Sequence, residues 1–128
     1  MKFFATAALI LALSITSALG QLDIPKGEPY CTGDYLRIMR LNRKWIIHAM
    51  VPNTDDIPRI CGGLWDNLKS FPACSTLGIV ACEHRWEGML TWRFGTMGWC
   101  NHGMIESVWW EATKNKFGPL KCKSKVRQ

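Results

Sequence analysis

The chain has 128 residues, 48% of them hydrophobic, with a formal net charge of +6, six cysteines and seven tryptophans. The length supports a single domain with an ordinary core. Cysteine spacing excludes a zinc-finger type of centre: no Cys-x-x-Cys occurs, and the closest pair, Cys74 and Cys82, is eight residues apart.

Residues 1–20 read as an export leader. Lys2 supplies the positive start, Phe3 to Ile15 is an apolar stretch broken only by Thr6 and Ser14, and Ala18-Leu19-Gly20 places small residues before a cleavage point at Gln21. The stretch is shorter than the ~20 residues needed to cross a bilayer, so neither an anchor nor a transmembrane segment is expected. Export into an oxidising compartment makes three disulfides of Cys31, Cys61, Cys74, Cys82, Cys100 and Cys122, with the pairing left open by the spacing.

Residues 21–33, with Pro25, Gly27, Pro29 and Gly33, read as an irregular N-terminal arm, and residues 34–128 as one disulfide-stabilised α+β domain. Asp34 to Val51 is rich in strand formers and predicts either one long strand or a hairpin bent at Asn42. Pro52 to Asp56 is a turn, after which Ile57, Ile60, Cys61, Leu64, Leu68 and Phe71 recur at helical spacing until Pro72. Leu77 to Arg85 and Met89 to Phe94 predict two strands joined by a tight turn at Glu87-Gly88. Asn101 then caps a second helix, with Met104, Ile105, Val108, Trp109 and Ala112 inward and Gly118-Pro119 as its stop. A last strand, Leu120 to Val126, alternates Lys121, Lys123 and Lys125 with its other face, a pattern that protects a sheet edge.

Strand, helix, strand, strand, helix, strand is the order of a ferredoxin-like split βαββαβ sandwich, an antiparallel sheet with both helices on one face. Within a small, basic, cysteine-rich chain, three features carry a family resemblance. They are Cys61-Gly62-Gly63-Leu64-Trp65 on the first helix, Cys100 heading the second, and the run from Trp109-Trp110-Glu111 to Leu120-Lys121-Cys122. On these the chain resembles the killer-toxin-like secreted effectors of filamentous fungi. The resemblance implies a virulence or antagonism factor and brings with it no catalytic residue and no cofactor.

Two sets of side chains are candidates for function. Glu83-His84-Arg85-Trp86-Glu87, with His48, His102 and Arg93, holds the residue types of a ribonuclease, but strict strand alternation would put Glu83 and Arg85 on one face and His84 and Trp86 on the other. Catalysis is therefore not expected. Exposed tryptophans beside basic residues are the better anchors, and the candidate binding residues are Trp65, Trp86, Trp110, Arg85, Lys121, Lys123 and Lys125. Arg37, Arg40, Arg43, Lys44 and Arg127 are expected to extend this basic field. The expectation is an extracellular monomer without metal or cofactor that binds a host protein, a glycan or an anionic cell surface. A membrane-active antimicrobial toxin and a small ribonuclease are the alternatives. No recognised nucleic-acid motif accompanies the charge, so no specific nucleic-acid partner is expected.

Overall fold

The structure, a computed structural model, describes residues 28–36, 41–86 and 88–124. The leader, residues 21–27 of the arm, Arg37, Arg40, Glu87, Lys125 and Arg127 lie outside the described residues. Five strands form one sheet in the order β3-β4-β2-β1-β5. They are β1 (Tyr30–Tyr35), β2 (Asn42–Met50), β3 (Leu77–Trp86), β4 (Met89–Met97) and β5 (Cys122–Lys123). Every neighbouring pair is antiparallel except β1 and β5, which run parallel. Two helices complete the α+β fold, α1 (Ile57–Leu68) and α2 (His102–Thr113).

The apolar spacing that predicts α1 becomes its buried face: Ile57, Ile60, Cys61, Leu64 and Leu68 point inward. Pro58 occupies the first turn, where its missing N–H has no helical partner to lose. Asn101 caps α2 by accepting a hydrogen bond from the Met104 amide at 2.9 Å. Ile105, Val108 and Trp109 of α2 join the α1 residues and Trp45, Ile47, Ala49, Leu90, Trp92 and Phe94 in one core. Both helices therefore cover the same face of the sheet. Among the described residues the other face carries no helix.

Three local expectations differ from the fold. Tyr30 to Gly33, read as irregular, belong to β1, which pairs with β2 and stands between β2 and β5. The long strand-rich segment is thus a hairpin, and Gly33 serves it by close approach: a side chain there would overlap the Trp45 ring directly opposite. Helix α2 ends at Thr113 rather than at Gly118, because Lys114 and Asn115 take left-handed backbone conformations and Trp109 Nε1 donates to the Gly118 carbonyl at 2.9 Å, folding that segment back. The last strand is two residues long; ahead of its pairing, the Cys122 amide is held by Glu106 of α2 at 2.9 Å.

The disulfides are Cys31–Cys122, Cys61–Cys82 and Cys74–Cys100. They tie β1 to β5, α1 to β3, and the turn after α1 to the loop before α2. Among the described residues no helix is long and apolar enough to cross a membrane.

Candidate functional site on the open sheet face

Cross-strand register assembles the helix-free face in rows, because residues directly opposite one another in a sheet project to the same side. Tyr30, His48, Thr91 and Glu83 form one row across β1, β2, β4 and β3. The next row holds Lys123, Thr32, Ile46, Arg93 and Ala81. On the other side of the first row stand Met50, Met89 and Trp86.

Side-chain contacts follow these rows. His48 Nδ1 lies 3.1 Å from Thr91 Oγ1, and the imidazole stacks on Tyr30 with ring centres 6.4 Å apart and planes inclined by 15°. Glu83 takes two cations, Arg85 at 3.6 Å along its own strand and Arg93 at 3.8 Å across the sheet. Thr91 at the centre of the row is buried, as are Thr32 and Met89 on the same face.

A register shift between His84 and Trp86 changes which side chains share this face. Strict alternation separates Trp86 from Glu83 and Arg85. The irregularity instead sets Trp86 opposite Met89, two residues from Thr91 and on the same face. Trp86 is 55% exposed there. His84 is opposite Leu90, on the helix side, so it does not converge with Glu83. The turn that follows depends on Gly88, which has a φ of +78° and whose carbonyl accepts a hydrogen bond from the Val51 amide.

The remaining candidates are dispersed. Trp110, 46% exposed, lies on the helical layer with Lys114 Nζ 4.1 Å from its ring centre. Trp99, 60% exposed, follows the far end of β4 from Trp86. Trp65 packs edge-on against Trp92 and Phe94, which makes it largely a core residue. Its outer side lines a cleft of about 600 Å³ with Leu68, Lys69, Phe71, Thr76 and Val80. Lys121 is exposed ahead of β5, and Lys123 marks the β5 edge of the open face.

Arg43 leaves the expected basic field altogether. Its guanidinium is buried, donating to the Gly33 carbonyl at 2.8 and 3.3 Å and to the Cys100 carbonyl at 2.9 Å. The rings of Tyr35 and Trp45 lie 4.4 and 4.6 Å from it. Planar, multiply donating guanidinium suits this position as a point-charge ammonium does not. Burial lowers its pKa, partly offset by Tyr35 and Asp34. Nearby His102 sits edge-on to Trp45 with Nε2 3.3 Å from Ser124 Oγ. Burial, and then the Arg43 charge, lower the His102 pKa below its ordinary value.

No group of metal-ligating side chains occurs among the described residues. No family model matches the chain, and neither does any curated protein or any solved structure.

Proposed function

We propose that this is an exported, disulfide-stapled effector of the killer-toxin-like type, which binds an anionic component of a host or competitor on the open face of its sheet. The leader pattern of residues 1–20 and the pairing of all six cysteines support export. The strand order supports the ferredoxin-like part of the reading. In both β2–α1–β3 and β4–α2–β5, a helix joins two strands of the same direction that are separated within the sheet, and β1 is an added strand beside β5.

The observation that carries the binding reading is the position of Trp86, an exposed aromatic ring on the same face as Arg85 and Arg93. Lys44, opposite Asp34, and Lys123 on the β5 side give that face more cations than carboxylates among the described residues. A rigid indole beside guanidinium groups provides both a stacking surface and an attraction for negative charge.

The test is a binding titration of the exported protein against heparin and against a single-stranded RNA oligomer, followed by fluorescence anisotropy at rising salt. Saturable binding to at least one polymer that weakens as salt rises, and that drops about tenfold in Trp86→Ala, is expected. Absence of binding at low salt, or equal binding by Trp86→Ala, overturns the proposal.

A further inference from the structure

We propose that the outer edge of β3 and the cleft beside it bind an extended peptide of a partner protein by strand addition, with a large apolar side chain of the peptide in the cleft and an acidic one at Lys69. This site is separate from the open face and does not depend on it.

The two edges of the sheet differ in how they meet solvent. β5 is two residues long, carries Lys123 and has its Cys122 amide occupied by Glu106, all of which blunt an edge against further pairing. β3, at the opposite edge, is ten residues long, and Leu77 to Cys82 contains no charge and no proline. Leu77 and Val80 are 41% and 45% exposed there. Gly78, with a φ of +72°, lies where the register with β4 shifts, but Ala81, Cys82, Glu83 and His84 pair one-to-one with Arg93, Trp92, Thr91 and Leu90. That regular stretch turns the N–H and C=O of every second residue away from β4, which is the template a further strand pairs with.

The cleft gives such a strand something to select. Trp65 and Phe71 form its aromatic walls, Val80 lines its β3 side, and the buried Leu68 and Cys74 make its floor. Its volume of about 600 Å³ lies within the range of specific ligand sites. Cys61–Cys82 ties α1 to β3 and Cys74–Cys100 anchors the turn between them, so the cleft is built before a peptide arrives. Side chains of an added strand alternate between the two sides of the sheet, so every second one lies on the side of α1. Lys69 carries the only charge among the described residues lining the cleft. Its ion pair with Asp66, at 3.5 Å and with both side chains 78% exposed, is a surface contact weak enough to exchange for a peptide carboxylate.

In the experiment, the exported protein selects from a phage-displayed library of random peptides matching β3 in length. The enriched peptides are then measured by fluorescence anisotropy against the wild type, Val80→Lys and Lys69→Glu. They are expected to share a large apolar residue close to an Asp or Glu, and to bind each variant about tenfold more weakly. N-methylation of alternate peptide amides should abolish binding in one phase and spare it in the other, because an added strand is hydrogen-bonded on one side. Val80 and Lys69 are exposed, so both variants keep the fold, and the N-methylated peptides need no variant at all. No enrichment, equal binding by either variant, or indifference to N-methylation in both phases overturns the proposal. A wild type that sediments as a dimer and becomes monomeric in Val80→Lys also overturns it, because a second copy then occupies the edge.

Discussion

The ring of Trp45 occupies the space where a side chain on Gly33 would begin, so the first two strands can pair only because residue 33 has none. The indole is fully buried and donates through Nε1 to Thr96 Oγ1 at 2.9 Å, which fixes it from the other side. Gly33→Ala therefore forces either the ring or the strand to move. A loss of about 1–3 kcal/mol in chemical denaturation is expected, with near-ultraviolet circular dichroism reporting a displaced tryptophan. An unchanged midpoint would contradict the contact.

Arg43 predicts a distinction between two cations. Arg43→Lys keeps the charge but cannot reach both the Gly33 and the Cys100 carbonyls in the same fork, and it gives up the stack between Tyr35 and Trp45. A destabilisation of roughly 2–4 kcal/mol is expected, since a buried carbonyl left unpaired costs about 1–3 kcal/mol and the packing loss adds to it. Urea midpoints of the wild type and variant decide the matter; equal midpoints would show that charge alone holds the site.

Neighbouring His102 gives a pH dependence of known sign. Its folded pKa lies below the ordinary value near 6.5, so the unfolded chain binds the proton more readily. The neutral ring's contribution is complete above about pH 6.5 and is lost as pH falls from there toward the folded pKa. Comparing His102→Gln with wild type over pH 5 to 8 removes the background from other groups. The wild type's margin over the variant should shrink on acidification, and a margin that grows would show the opposite shift.

The elements that could be read directly were those whose signals are local. The stripe from Ile57 to Leu68 and the cap at Asn101 lie within one or two helical turns, and each became the helix expected of it. The first strand was hidden because Pro29 and Gly33 read as breakers, whereas Gly33 is required by a ring twelve residues along the chain. The open face was hidden for a related reason. Glu83, Arg85 and Trp86 were visible as candidates, but their common side depends on a register shift, and the histidine that joins them is His48 across β4 rather than the adjacent His84. Strand register is set by pairing partners, and a one-residue slip exchanges faces.

The three disulfides are not equivalent. Cys31–Cys122 spans 91 residues, while Cys61–Cys82 and Cys74–Cys100 span 21 and 26. Restriction of the unfolded chain rises with the logarithm of loop length, so replacing the first pair by alanines should cost about 1 kcal/mol more than replacing either of the others. Three double variants in equilibrium denaturation give the ranking. Equal losses would mean that native-state contacts around the sulfurs, rather than loop length, set their worth.

Placing the first and last strands side by side has a consequence for the order in which the bonds can close as the chain is synthesised. β1 is made long before β5, so Cys31 remains without its partner while the intervening 90 or so residues are added. The two shorter pairs have all their sulfurs in place while Cys122 is still to come. Closure of the 31–122 bond therefore follows completion of the sheet and both helices, and a product cut short before Cys122 carries an unmatched, reactive thiol.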